Sequence, residues 1–254
     1  MIISCQEVVD VDLPPTDKRL VIDALIAVPD NESNNIVASV KLTETADYYA
    51  DSVPNVNGAT IDLKGGTITY RLNEQGNGYY AAAVPRQFIT SQPIDLIVNY
   101  KEETYSSTSN YIPAVPIDSL KQGDNGLFAG DETEVILYYT DAPDRDDYYL
   151  FNLDRGQFLT SEDTFYKGQA FSFSYFYENV KPTDTLNVQL YGITKPFYDY
   201  MSIVINQSGQ NSGNPFAAPP SEVRGNIINE TNAAHYPLGY FSISAVYYND
   251  IIIE

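Results

Sequence analysis

Apolar and polar residues alternate along most of this chain. Segment 18–28 comes close to this alternation, with apolar residues at every second position: Leu20, Ile22, Ala24, Ile26 and Val28. A two-residue period of this kind is typical of a β-strand with one side facing a core. Segment 36–45 continues the alternation, and its polar side holds Val37, Ser39, Lys41 and Thr43. The pattern therefore predicts that the chain begins with two adjacent strands.

Further short strands, separated by turn residues, follow at regular spacing as far as residue 111. This rhythm indicates a β-sandwich of immunoglobulin or transthyretin type over residues 17–111. The stretch "YIPAVPIDSL" then places two prolines in an extended linker, so we put a domain boundary near Ile112. A second series of alternating segments follows. The sequence thus predicts an all-β protein with an N-terminal tether (1–16) and two β-sandwich-like domains (17–111 and 112–254).

One stretch of the second domain departs from the strand pattern. In "TKPFYDYMSIVINQS", Pro196 follows Thr194, a suitable N-cap residue. The apolar residues of the stretch then recur at i, i+3, i+4 and i+7, as Phe197, Tyr200, Met201 and Val204. This spacing predicts a short helix near residues 195–206. The alternative is another strand, formed by "MSIVI".

Charge and cysteine content narrow the possible partners. The formal net charge of -20 and a pI near 4.1 mean that the chain is repelled by nucleic acid, so we expect no nucleic-acid partner. A single cysteine, Cys5, cannot form an internal disulfide or a cysteine-built zinc site. Such acidity is typical of a solvated surface, and grouped carboxylates leave cation binding as the alternative.

Catalytic motifs are missing from the sequence. The only histidine, His235, lies in "NAAHYPLG", and no G-x-S-x-G segment supplies a nucleophile for it. The sequence also contains no H-E-x-x-H pair and no phosphate-binding glycine loop. We therefore predict a protein that is not an enzyme, with His235 as a loop residue.

A cluster of aspartates is the one candidate for a metal site. "DAPDRDDYY" contains Asp141, Asp144, Asp146 and Asp147, and calcium binds groups of such oxygen ligands. The spacing does not match a helical calcium loop, and Arg145 is available to pair with one of the acids. These features favour a solvated turn between two strands, with a calcium site as the alternative. Calcium is the only cofactor for which the sequence gives any reason.

Adjacent tyrosines occur five times, for example at Tyr138–Tyr139 and Tyr148–Tyr149. Neighbouring side chains of a strand point to opposite faces, so each pair is expected to give one ring to the core and one to the surface. Surface tyrosines suit recognition because a rigid ring loses little entropy on binding. Since the chain has no tryptophan, a protein partner is favoured over a carbohydrate.

Three stretches together resemble a known family. They are "IISCQEVVDVDLPPTDKRLVIDALI", then "PIDSL" with "TDAPDRDDYYLF", and finally "NPFAAPPSEVRGNI" with "PLGYFSISAV". Their order resembles the DUF4249 lipoproteins of Bacteroidetes-type bacteria, a family of unassigned function. The resemblance runs from Cys5 to about Val246, and the C-terminal block is its most specific part.

The resemblance implies a membrane anchor. Ile2, Ile3 and Ser4 are similar to the end of a lipobox, which makes Cys5 the lipidated residue; an incidental buried cysteine is the alternative. Several acyl chains on one residue anchor a protein stably, at ~0.8 kcal/mol per buried CH₂. Only four residues precede Cys5, so we expect the chain in this form to be unlipidated. The acids just after Cys5 are similar to tethers that carry such lipoproteins to the cell surface.

The family is often encoded beside TonB-dependent outer-membrane receptors, which implies a partner of that type. The leading hypothesis is therefore a surface-exposed outer-membrane lipoprotein that acts as an accessory subunit of a β-barrel complex. Its expected contact residues lie on the helix and the C-terminal loops; they are Phe197, Tyr198, Phe216, Tyr240 and Phe241, for which core packing is the alternative. A second hypothesis is a substrate-binding lipoprotein that captures a glycan or peptide for import.

Overall fold

The computed structural model describes residues 17–31, 33–47, 50–124, 132–208 and 223–254. Cys5 and Phe216 lie outside these residues. Over the described ranges the chain forms sixteen strands, two helices and a 3₁₀ turn at Ala233–His235. The strands are β1 (Leu20–Pro29), β2 (Asn35–Glu44), β3 (Thr60–Gly65), β4 (Ile68–Gly76), β5 (Tyr79–Pro85), β6 (Ile94–Tyr100), β7 (Glu103–Ser109), β8 (Tyr111–Ile112), β9 (Ile117–Gln122), β10 (Thr133–Thr140), β11 (Tyr148–Asn152), β12 (Phe158–Glu162), β13 (Ala170–Tyr177), β14 (Thr185–Ile193), β15 (Ile228–Asn229) and β16 (Leu238–Ile252). The helices are α1 (Arg86–Thr90) and α2 (Lys195–Gln207).

The alternation in the first two strands has the predicted consequence. Ile22, Ala24 and Ile26 of β1 are fully buried, and Val37 and Ser39 of β2 are exposed. A two-residue period therefore places one side of each strand in the core, and the predicted all-β, sandwich-like class is confirmed.

The N-terminal sandwich is formed by one bent sheet. One layer has the order β16-β1-β2-β5-β4, and the other has the order β4-β3-β6-β7-β15. Strand β4 belongs to both layers, because residues 68–72 pair with β3 and residues 73–76 pair with β5. Apolar side chains from both layers form a single buried cluster between them.

A second sandwich encloses a separate cluster of buried residues. Its layers are β12-β11-β14-β16 and the three-stranded sheet β13-β10-β9. Tyr139, Tyr149 and Phe151 are fully buried between the layers, with ring centroids 5.5–6.3 Å apart. In the pairs Tyr138–Tyr139 and Tyr148–Tyr149 the second ring therefore faces this core, while Tyr138 and Tyr148 stay partly exposed.

Strand β16 belongs to both sandwiches. Residues 238–246 pair in parallel with β1, and residues 246–252 pair antiparallel with β14. The predicted division at residue 112 assigns all of β16 to the C-terminal domain, whereas Ile227, Phe241 and Ile243 pack in the N-terminal core. The reason is that a parallel pairing over more than 200 residues of sequence leaves no trace in local periodicity.

Close contacts with the backbone explain why glycine and asparagine occur in the segments "GNI" and "LGYF" of the C-terminal block. Gly239 has φ +100°, and a Cβ atom there would lie 2.0 Å from the carbonyl oxygen of Ile22. Asn226 closes the neighbouring turn: its Nδ2 donates to the Phe241 carbonyl and its Oδ1 accepts from the Phe241 amide, both at 2.8 Å. "GNI" and "LGYF" thus form one structural unit.

Candidate functional site

Helix α2 begins as the sequence predicts. The Thr194 side chain accepts a hydrogen bond from the Phe197 amide at 3.3 Å, and proline lies in the first turn. Lys195 and Asp199 form an i,i+4 ion pair at 2.9 Å. The predicted span of 195–206 agrees with the observed Lys195–Gln207 to within one residue at its C-terminal end. The alternative strand over "MSIVI" is wrong.

The apolar side of α2 packs against the sheet and buries Phe197. Phe197 is 4% exposed, and its ring stacks on that of Tyr240 with centroids 4.3 Å apart. Phe241 points to the other side of β16 and is fully buried in the N-terminal core. The prediction that Phe197 and Phe241 contact a partner is therefore corrected: both side chains are core residues.

Two predicted contact residues keep partial exposure. The Tyr198 ring lies 5.5 Å from that of Tyr148, and Lys195 Nζ lies 5.8–5.9 Å from both ring centroids. Tyr240 is half-buried between α2 and the sheet. Contact of Tyr198 and Tyr240 with a partner stays a prediction.

The aspartate turn is an internal network. Asp141 is buried and accepts hydrogen bonds from the Tyr149 hydroxyl and from the Gly168 amide, the latter at 2.8 Å. Asp147 is also buried; it accepts from Arg145 Nε at 2.7 Å and from the Tyr149 hydroxyl at 3.0 Å. Burial, together with the hydrogen bond to Asp141, raises the pKa of Tyr149. The neutral phenol is therefore the donor that holds this turn.

The contacts of these side chains count against the alternative of a calcium site at Asp141, Asp144, Asp146 and Asp147. Asp146 points away to Lys167, with an ion pair at 2.6 Å. In the part of the chain that the structure describes, no group of three or more His, Cys, Asp or Glu side chains could hold a metal ion. Hydrogen-bond donors of the chain itself already bond to the carboxylates of Asp141, Asp146 and Asp147.

A half-open cleft of ≈ 430 Å³ lies beside His235, and its lining includes Glu44, Tyr100, Glu103 and Tyr105. The Glu103 carboxylate is the centre of the hydrogen-bond network in this cleft. The carboxylate accepts from the Tyr105 hydroxyl at 2.5 Å and contacts His235 Nδ1 at 2.6 Å. The Tyr105 hydrogen bond, helped by the one to His235, lowers the pKa of Glu103.

The cleft offers hydrogen-bond recognition more readily than nucleophilic catalysis. Asn229 Nδ2 also donates to Glu103, at 3.1 Å, and Lys101 pairs with Glu44 at 2.7 Å. Serine and cysteine are absent from its described lining. His235 therefore has a carboxylate partner in this cleft.

Sequence reasoning missed a third surface, which we call the aromatic edge: strand β13 together with Phe165. Phe165 is 90% exposed, and Phe171 and Phe176 of β13 are each 36% exposed. The Tyr166 ring stacks on Phe171 with centroids 4.1 Å apart, which ties the Phe165 turn to the strand. The available signal was an aromatic residue in the polar turn "EDTFYKGQ".

Aromatic residues and serines alternate along β13, and the side that carries Phe173, Tyr175 and Tyr177 faces the core. Tyr177 is buried, Phe173 and Tyr175 are half-buried, and the serines between them are exposed. Local alternation identifies the inner face of a strand. Alternation does not show that the strand lies at the border of its sheet. Phe171 remains partly exposed because of that border position.

These features define an all-β protein with two sandwich cores joined by a shared strand. The family model described as "Domain of unknown function (DUF4249)" matches residues 6–249. The chain belongs to the DUF4249 family. No curated protein matches the sequence. Among the described residues, neither helix has the length and apolar character to cross a membrane.

One solved structure is similar over part of the chain. It is a calcium-stabilised adhesin with which an Antarctic bacterium binds ice. The identity is 13% and the TM-score is 0.24, over 70% of this chain and 45% of the adhesin. A TM-score this low carries no argument about fold or function.

Proposed function

We propose that this chain is a non-enzymatic outer-membrane lipoprotein, anchored through Cys5 and exposed at the cell surface. In this proposal it is an accessory subunit of a β-barrel complex of the TonB-dependent receptor type. The position of the only cysteine behind Ile2, Ile3 and Ser4 supports the anchor. Mass spectrometry of the protein from its own host should find a lipidated Cys5; a bare thiol with an uncut leader would refute the anchor.

The aromatic edge is the observation that carries the accessory role. A phenylalanine side chain that is 90% exposed costs solvation energy in the free protein. Burying one in an interface contributes about 1.5–3 kcal/mol. Aromatic anchors of this kind provide much of the binding energy in protein–protein interfaces. Phe165, Phe171 and Phe176 therefore fit a protein partner.

Co-purification from detergent-solubilised outer membrane tests the proposal. The wild-type chain should be recovered with a β-barrel protein, and Phe165→Ala should reduce that recovery. The matched control is Val37→Ala, which removes an apolar side chain, 68% exposed, from the N-terminal sandwich. Recovery of the wild-type chain as a lone species at native expression level would contradict the accessory role.

The His235 cleft favours one alternative, a substrate-binding lipoprotein for a glycan or peptide. Tyr100 offers a ring, and Glu44 and Glu103 offer acceptors, within one cleft. Aromatic rings combined with a few polar groups are typical of small-ligand sites. A glycan array and a peptide library would test it, with Glu103→Ala as the variant; no binding on either would remove the alternative.

A further inference from the structure

Within the part of the chain that the structure describes, the outer border of β13 is an open sheet edge. The three-stranded sheet has the order β13-β10-β9, and no other described strand pairs with β13. The Asp141 amide donates to the Gln169 carbonyl at 3.0 Å. These two opposite residues are therefore a hydrogen-bonded pair, and this determines which residues of β13 bond to β10. Since hydrogen-bonded pairs alternate in an antiparallel ladder, Phe171, Phe173 and Tyr175 bond to β10. Ser172 and Ser174 therefore direct their backbone N–H and C=O groups outward.

This edge lacks the features that usually protect an open strand. Natural edges carry lysine, proline or a bulge that prevents pairing with another chain. Strand β9, at the opposite border, has Lys121 and a register shift beside Tyr138. Strand β13 reads "AFSFSYFY", and its pairing with β10 is regular throughout. The unprotected edge therefore favours an additional β-strand as its occupant.

The charges along the edge favour a basic occupant. The Ser174 hydroxyl donates to Glu134 at 2.5 Å, so this carboxylate lies over β13. At the C-terminal end of the strand, a groove of ≈ 440 Å³ is lined by Tyr175 and Phe176 and by Glu132 and Glu178. Arg155 also lines the groove, but it already pairs with Asp184 at 2.7 Å.

We propose that β13 accepts an extended, basic segment of a partner protein as a further strand of the β13-β10-β9 sheet. Backbone groups of Ser172 and Ser174 supply the ladder. Apolar side chains of the incoming strand continue the inner layer beside Phe171, and its lysines or arginines face Glu134. This inference rests on the proposed function, because it specifies how the accessory subunit holds its partner.

A second copy of the chain is a poor occupant. Pairing two β13 strands would bring the acids along both edges together, in a protein of net charge -20. Like charges across a strand pair are destabilising. The same charge makes a basic segment attractive, because opposite charges across neighbouring strands stabilise the pairing.

The probe is an octapeptide of alternating lysine and valine, titrated into the folded chain and followed by amide NMR. Shifts should concentrate in residues 170–177, and amide exchange at Ser172 and Ser174 should slow. A glutamate–valine octapeptide should bind at least tenfold more weakly. Equal binding of the two peptides, or no shifts in residues 170–177 at millimolar lysine–valine peptide, would overturn the proposal.

Ser172→Pro removes one outward N–H and leaves the ladder with β10 intact, so it should weaken peptide binding at least tenfold. Ser172→Ala is the matched control and should bind as the wild type does. If the proline variant fails to fold, two methylated forms of the lysine–valine peptide are titrated into the wild-type chain in its place. Each isomer is methylated on one of the two alternating sets of backbone nitrogens. Undiminished binding by both methylated isomers, or slowed exchange at Ser172 from self-association without peptide, would overturn the proposal.

Photocrosslinking in the native host separates this inference from the proposed function. With p-benzoylphenylalanine in place of Ser172, the partner should crosslink through a lysine- or arginine-bearing extended segment; the same group in place of Ser39 should not crosslink. A partner that co-purifies but does not crosslink from position 172 overturns the edge inference alone. If no partner co-purifies, the proposed function fails, and the peptide titration decides the edge inference.

Discussion

Replacing Gly239 with alanine tests whether the close parallel contact between β16 and β1 limits the stability of the fold. The residue has φ +100°, a backbone conformation that alanine adopts at a cost of about 1–3 kcal/mol. The new Cβ would also lie 2.0 Å from the Ile22 carbonyl oxygen, so the two strands must separate. Overpacking of this kind costs about 1–3 kcal/mol more.

The expected loss for Gly239→Ala is therefore about 2–6 kcal/mol of unfolding free energy. A domain has about 5–15 kcal/mol in total, so the variant should be severely destabilised. Urea denaturation followed by circular dichroism measures the loss, and tyrosine fluorescence gives a second probe of the same transition.

Gly76→Ala is the matched control. Gly76 has φ +91° and ends strand β4, but a Cβ atom there would have no neighbour within 4 Å. It should lose only the conformational part, about 1–3 kcal/mol. Equal losses for the two variants would refute the argument that close approach of β16 to β1 is what requires glycine at position 239.

Three further predictions concern the polar networks. Tyr149→Phe should destabilise the fold by about 1–3 kcal/mol in urea denaturation, because Asp141 stays buried and loses a donor; an unchanged midpoint would contradict this. Because the pKa of Glu103 is lowered from its ordinary value of 4.5, this group stabilises the fold at pH values above 4.5. That contribution to stability is lost as the pH falls through the pKa that Glu103 has in the folded state. Glu103→Gln should therefore flatten the acid limb of stability against pH, and a parallel limb would refute the assignment. Excess EDTA should leave the melting temperature unchanged, because donors of the chain itself bond to the carboxylates of Asp141, Asp146 and Asp147; a clear drop would restore a calcium site there.

Local signals in the sequence account for the individual elements. Alternation in β1 and β2 predicted which side chains are buried, because a strand places successive side chains on opposite faces. Thr194 and Pro196 predicted the start of α2, because capping and the fixed φ of proline act within a single turn. The short helix α1 was not predicted, since five residues between two strands give too few positions to show a helical period.

The candidate sites depended on contacts that the sequence does not encode locally. The grouping of the aspartates left a cation site as an alternative, but in the structure Asp141 accepts hydrogen bonds from Tyr149 and Gly168. Phe197 and Phe241 are aromatic residues of the kind that contact surfaces contain, yet each packs in a core against residues distant in sequence. Glu103 and His235 are 132 residues apart and meet at 2.6 Å.

By itself, the sequence determined the class of the fold, most of its strands, helix α2 and the position of the single cysteine. These features follow from interactions between residues a few positions apart. The tertiary structure alone decided that β16 joins two sandwiches, that the acidic turn is closed by a buried phenol, and that β13 lies at an open edge. Strand order and edge position depend on pairing between distant segments, and that pairing is set by the whole core rather than by any one stretch.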